Sequence, residues 1–186
     1  MKLPLSQAPK KILVLRLGAL GDLIFLLPAL PLLRQRWPEA EIHWVVKRSY
    51  ASLIENHPLV NRIWPFHGGV TQIFKTGLEL RKERFDLVLD YHANLRSGIL
   101  SWISGAPTRV GFARPFNKEG NSIFNHHRVS PPNLRTHKID RNLFLTNALF
   151  GEPLDLDCQP SFPVNPAAIQ SFDALREGRT RPIVVI

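Results

Sequence analysis

The sequence predicts an α/β protein built on a doubly wound, Rossmann-like parallel sheet. Three observations predict it. Ile12 to Leu17 is a nearly unbroken apolar run leading straight into a glycine turn and an apolar helix, the signature of a central strand covered on both faces. From there to Phe112, strand and helix patterns alternate. The chain, 186 residues at 44% hydrophobic and 21% charged, is long enough to bury a sizeable core.

Met1 to Pro9 reads as a short flexible lead-in. The first strand is followed by the apolar run Leu23 to Leu33, expected as a buried helix kinked by Pro28 and Pro31. Glu41 to Val46 reads as the second strand, Tyr50 to Asn56 as a short helix and Arg62 to Phe66 as the third strand. Val70 to Arg84 sets Ile73, Leu78 and Leu80 among Lys, Glu and Arg, an amphipathic helix. Asp86 to Asp90 is a buried strand, Leu95 to Ser104 a helix and Arg109 to Phe112 another strand. From Ala113 to Thr136 the pattern gives way to Pro, Asn, Gly, His and Arg, so a long loop is expected, of the length that is usually functional. His137 to Phe150 resumes as a helix ended by Gly151, and Gly151 to Pro166 reads as a linker. Pro166 to Glu177 reads as a helix and Arg181 to Ile186 as a buried strand with no helix after it to cover it.

Several function classes are disfavoured by the same residues. Leu23 to Leu33 falls short of the roughly 18 residues a membrane span needs. Lys2, Lys10 and Lys11 ahead of apolar sequence mimic a signal peptide, yet Arg16 and Asp22 interrupt the hydrophobic region and no clean cleavage site follows. The single Cys158 cannot form an internal disulfide, so a cytoplasmic setting is the simpler expectation, and no Cys/His set has zinc-ligand spacing. The net charge of +9 calls for an anionic partner. Scattered basic residues without a recognised nucleic-acid motif make nucleic acid the less expected one; an acidic glycolipid at a membrane surface satisfies the same charge, and many of these cations, such as Arg81, Lys82 and Arg84, read simply as solvated helix faces.

The most informative segment is Lys11 to Trp37. Gly18 and Gly21 allow close approach of another molecule, and Asp22 stands where the turn becomes helix. The spacing is G-x-x-G, so neither the dinucleotide fingerprint nor a P-loop is present. Two readings of Asp22 remain open. It is either a helix N-cap, or a carboxylate beside the crevice where open α/β sheets bind ligands, placed to take a proton from a substrate hydroxyl.

Leu17-Gly18-Ala19-Leu20-Gly21-Asp22, Leu33-Arg34, Trp37-Pro38 and Ala40 are followed by Asp86 to Asp90, Leu95-Arg96-Ser97, Arg109-Val110-Gly111-Phe112, Arg114-Pro115, Ile123-Phe124, His137 and Asp140-Arg141. In that order they resemble glycosyltransferase family 9, the lipopolysaccharide heptosyltransferases. The resemblance covers roughly residues 10 to 150. It implies the N-terminal, acceptor-binding half of a GT-B type enzyme, with residues 1–155 as that domain and 156–186 as linker and first elements of a nucleotide-sugar domain. It implies transfer of heptose from ADP-heptose to the Kdo inner core, with inversion. Asp22 would be the general base, its pKa raised by a closed cleft. Gly18, Leu20 and Gly21 would face the donor, and Arg114, Arg141, His137, Arg96 and Lys118 would hold the acidic acceptor, Kdo-lipid A, because arginine forks pair two-point with carboxylates and phosphates. No metal or other cofactor is expected. This chain alone would be inactive, and the full-length enzyme a monomer peripheral to the cytoplasmic face of the inner membrane.

His137 reads more readily as a helix-start residue bonded to backbone. Departures from the family pattern also bear on the acceptor: an isolated Lys75 follows His67-Gly68-Gly69 where relatives often carry a basic cluster, and Asp90-Tyr91-His92-Ala93-Asn94 replaces a more usual Gln-Gly. Lys47 and Arg48 are alternative sources of the missing charge. Two other functions stay open at this point: a same-family transferase using another nucleotide sugar, and a non-catalytic basic module binding nucleic acid or anionic lipid.

Overall fold

The computed structural model describes residues 7–150. The linker, final helix and final strand read from the sequence, together with Cys158 and the domain boundary at residue 155, lie outside the described residues.

Six parallel strands form one sheet in the order β3-β2-β1-β4-β5-β6. They are β1 (Lys11–Leu15), β2 (Glu41–Lys47), β3 (Arg62–Phe66), β4 (Leu87–Asp90), β5 (Thr108–Phe112) and β6 (His127–Val129). Because successive strand residues face opposite sides, β1 feeds both layers. Ile12 and Val14 join a core closed by Leu23, Leu26, Leu30, Leu33, Leu143 and Leu145. Leu13 and Leu15 join a second core with Ile73, Leu80, Leu100 and Ile103. One face is therefore covered by α1 (Leu20–Ile24), α2 (Ala29–Arg36) and α5 (Lys138–Asn147), and the other by α3 (Val70–Lys82) and α4 (Leu95–Ile103). This is the doubly wound α/β fold that the alternation predicts.

The long apolar run is two helices rather than one kinked helix. Pro28 has no N–H to donate, and the chain between α1 and α2 turns through short bonds from Leu27 N to Ile24 O (3.1 Å) and from Ala29 N to Leu26 O (2.9 Å). The short helix expected at Tyr50 to Asn56 is a 3-10 turn starting earlier, at Arg48–Leu53. The larger correction concerns Ala113 to Thr136. It contains a 3-10 turn, Asn121–Phe124, and the sixth strand, which pairs Val110 with His127 and Phe112 with Val129. Three residues, two of them polar, carry no apolar period; the open edge of β5 decides their conformation.

The strand order places the reversal of winding between β1 and β4, which pair in register from Ile12 with Leu87 to Leu15 with Asp90. Open sheets bind ligands at such a point, beyond the carboxyl ends of the strands.

Candidate active site

The chain leaves β1 at Leu15 and β4 at Asp90, side by side, so the segments that follow share one crevice. Leu15 O accepts from both Tyr91 N (3.1 Å) and His92 N (3.0 Å), which fixes the second segment against the first. At Gly18 the backbone has φ +156°, and a Cβ there would lie 2.9 Å from the Tyr50 ring, so this position excludes a side chain. Gly21 lies within α1 and a Cβ there would meet only the Phe25 ring at 3.9 Å, so its glycine is not required by space.

Asp22 is in the first turn of α1 but does not cap it: the N-cap is Ala19, and no side chain bonds to the free N–H groups. Its carboxylate is held instead by two cations. Arg16 Nη2 donates to Oδ2 at 2.8 Å and Lys138 Nζ donates to Oδ1 at 2.7 Å. Burial pushes the Asp22 carboxyl up, but Lys138 and Arg16 together outweigh it and hold it below the ordinary carboxylate range. The expectation of a raised pKa is thus overturned; two cations placed by the fold reverse the effect of the cleft.

Arg16 is buried and also donates, through Nη1, to the Tyr91 carbonyl. Burial lowers its pKa while Asp22 and Asp90 oppose that, and guanidinium remains a cation in any case. The second acid of the crevice, Asp90, is sealed. It accepts from Asn121 Nδ2 (2.7 Å), Ser97 Oγ (2.9 Å), Ala93 N (3.0 Å) and His92 N (3.1 Å). Asn94 caps α4 by accepting from Ser97 N at 3.1 Å, so Asp90 ties the strand end, the helix start and the 3-10 turn into one knot.

A cleft of about 270 Å³ opens over Asp22, lined also by Arg16, His92, Lys118, Lys138 and Arg141. Beside it a second cleft of about 310 Å³ is lined by Gly18, Lys47, Tyr50, His92 and Arg96. His92 borders both. Burial, helped by Arg16, pushes its imidazole down to about 4, so it is neutral at pH 7.

The crevice therefore brings together three of the residues singled out in the sequence, Asp22, Lys118 and Arg141, and sets Arg96 and Gly18 in the adjoining cleft. Arg141 is partly committed, donating through Nε to Thr136 O (2.8 Å) and through Nη2 to Leu134 O while its guanidinium stacks on Phe116 (5.2 Å). Leu20, Gly21, Arg114 and His137 line neither cleft. His137 is the N-cap of α5, its Nδ1 accepting from Ile139 N at 3.3 Å, and its ring meets Phe25 edge-on. Arg114 is exposed.

Arg16, His92 and Lys138 line the crevice but are not among the site residues the sequence singles out. An arginine directly after a buried apolar strand was a usable signal for Arg16. Lys138 offered none, being 116 residues from its partner. Among the described residues no three His, Cys, Asp or Glu side chains converge as metal ligands, and no helix is long and apolar enough to cross a membrane.

Known proteins share this arrangement of chain. The chain is 29% identical over 132 residues to the lipopolysaccharide core heptosyltransferase OpsX of Haemophilus influenzae, a match covering 68% of this chain and 37% of that protein. The fold superposes on a family 9 glycosyl transferase from Veillonella parvula with a TM-score of 0.73 at 21% identity, covering 90% of this chain and 50% of that one. It superposes on the E. coli heptosyltransferase WaaC with ADP-2-deoxy-2-fluoro heptose with a TM-score of 0.66 at 19% identity, covering 81% and 51%. The chain thus spans about half the length of these solved structures or less of its curated relative. Residues 73–186 match glycosyltransferase family 9 (heptosyltransferase), so a crevice built around Asp22 and a ring of cations is carried by a chain that belongs to that family.

Proposed function

We propose that this chain is the acceptor-binding half of a GT-B type glycosyltransferase that moves heptose from ADP-heptose to the Kdo inner core of lipopolysaccharide, with inversion and with Asp22 as general base. The observation that carries the proposal is a carboxylate left uncapped at the sheet's switch point, opening on a cleft lined by Lys118, Lys138 and Arg141. Family membership and the resemblance to WaaC bound to an ADP-heptose analogue support the donor class. In this reading residues 1–155 hold the acceptor, and 156–186 begin the domain that carries the nucleotide sugar. The chain by itself is inactive and the complete enzyme, a monomer, works at the cytoplasmic face of the inner membrane.

The chemistry asked of Asp22 is modest. As the acceptor oxygen attacks the anomeric carbon, the bond from that carbon to the diphosphate breaks, ADP departs with the electron pair, and the hydroxyl proton passes to Asp22. The hydroxyl becomes strongly acidic only as the new bond forms, so a carboxylate suffices as base provided it is within hydrogen-bond reach. The cations beside it pair with the carboxylate or phosphate of the acceptor and hold its hydroxyl in line. Lys118 and Arg141, with Arg96 in the adjoining cleft, are the acceptor-side residues in this reading, and Gly18 faces the donor.

In the full-length enzyme Asp22→Asn is expected to lower kcat by about 10²- to 10⁴-fold while leaving donor affinity intact. Steady-state kinetics with ADP-heptose and Kdo-lipid A, paired with donor titration, check this. Near-normal turnover eliminates Asp22 as the base.

A further inference from the structure

The two cations on Asp22 differ in how firmly they are held, and that difference has a use. Arg16 is an internal fixture: its side chain is 10% exposed, and Tyr91 O anchors its other nitrogen. Lys138 reaches Asp22 from the first position of α5 on a four-carbon stem, is 57% exposed, and makes this one bond. It sits on Oδ1, while Arg16 already takes Oδ2. With one cation on each oxygen, the carboxylate is poorly placed to receive a proton.

Building on the transferase reading above, we propose that Lys138 is a positioning residue that covers Asp22 in the empty site and is drawn off by the anionic group of the acceptor, so that binding the correct substrate frees the base. The ammonium lies in the same cleft as Lys118 and Arg141, where a carboxylate or phosphate meets three cations rather than one. The Lys138 ammonium stands at the solvent edge, where a lysine–carboxylate pair contributes little, so an incoming anion can take over the lysine at small cost. The buried Arg16 pair is not exchanged: its guanidinium is walled in, and leaving it without a counter-charge is costly. Arg16 thus keeps the carboxylate oriented after Lys138 departs. A neutral sugar alcohol, lacking the anion, fits the cleft but leaves Lys138 in place, which makes the handover a specificity device as well as a docking contact. No bond is made or broken in the handover, and the ammonium returns when the product leaves.

The charged and titratable groups facing Asp22 are Arg16 from the end of β1, Lys138 from α5 and His92 from the segment after β4. Only Lys138 among them is well exposed and held by a single bond. The test follows the Asp22 carboxyl itself by carbon-detected NMR in the full-length protein, assigned by comparison with Asp22→Asn. Inorganic sulfate serves as the anion because its charge is nearly constant across most of the carboxylate range, and chloride at matched ionic strength is the control. Sulfate is expected to raise the Asp22 titration midpoint in the wild type. Lys138→Ala is expected to raise it without sulfate and to abolish the sulfate response, and Lys138→Arg to restore a low midpoint. A wild-type midpoint unmoved by sulfate, or moved equally in Lys138→Ala, overturns the proposal. No sugar transfer is measured, so loss of the transferase reading through an active Asp22→Asn variant is a separate outcome.

Discussion

Two aspartates follow neighbouring strands into the same crevice, Asp90 at the end of β4 and Asp22 in the helix after β1, and the fold treats them in opposite ways. Asp90 is fully buried and surrounded by neutral donors from its own loop, from α4 and from the following 3-10 turn. Asp22 opens on a cleft and is met by two cations. A carboxylate enclosed by backbone N–H, hydroxyl and amide donors is a fastener, because every lone pair is spent inside the protein. A carboxylate balanced by charge at the edge of solvent keeps a surface on which another molecule can act. One acid shapes the crevice, and the other is left open to a second molecule.

The largest effect should come from undoing the fastener. Asp90→Ala leaves Ala93 N without its acceptor and strips Ser97, Asn121 and His92 N of one partner each inside the protein, and is expected to cost about 3 kcal/mol or more in urea unfolding. Asp22→Asn keeps an oxygen for Arg16 and should cost about 1 kcal/mol. Equal losses for the two variants would erase the distinction between them.

Glycines beside each acid sharpen the contrast at the next level. A Cβ on Gly111 would lie 2.3 Å from Asn125 Nδ2, and that buried amide donates to Asn121 Oδ1 (3.1 Å) within the Asp90 knot. Gly111→Ala is therefore expected to destabilise by about 2 kcal/mol through overpacking. Gly21→Ala, on the Asp22 side, meets only the Phe25 ring at an easy 3.9 Å and should stabilise α1 by about 0.5 kcal/mol. Thermal melts of the two variants moving in the same direction would show that the knot is not rigid.

A further effect concerns pH. His92 is held neutral, its imidazole pushed down to about 4, whereas the unfolded chain protonates it near 6.5. Between those values the unfolded state binds more protons, so the neutral imidazole's contribution fades as pH falls from about 6.5 towards 4. Asp22 acts lower down: its pKa is depressed, so its contribution is present above the ordinary 3.8 and is lost as pH falls through the lowered value. His92→Gln should flatten the stability profile in the upper window and leave the lower one unchanged, as read from urea midpoints across pH. An unchanged slope between 6.5 and 4 would show that His92 is not held neutral.

Much of the frame was legible in the residues. Apolar runs such as Ile12–Leu15 and Leu87–Leu89 need cover on both faces, which only a parallel sheet between helix layers supplies. The turn at Gly18 and the acid after it could be read because strand, glycine and helix are contiguous. The sixth strand could not, since His127–Val129 has no pattern of its own and owes its conformation to the free edge of β5. Arg114 and His137 looked like acceptor ligands in a linear order; in three dimensions Arg114 is exposed outside the two clefts and the His137 ring turns back to cap its own helix.

Local sequence by itself determined the strand–turn–helix unit, the alternation that winds the sheet, and the position of a carboxylate after the second glycine. All of these depend on residues within a few positions of one another, where hydrophobic period and backbone preference act directly. Tertiary structure alone decided the charge state and neighbours of that carboxylate. Lys138 comes from a helix 116 residues away, and Arg16, one helix turn and a glycine turn before Asp22 in the chain, reaches it from a buried position where the Tyr91 carbonyl holds its other nitrogen. Electrostatics depends on distance through space, and no spacing along the chain reports where those charges meet.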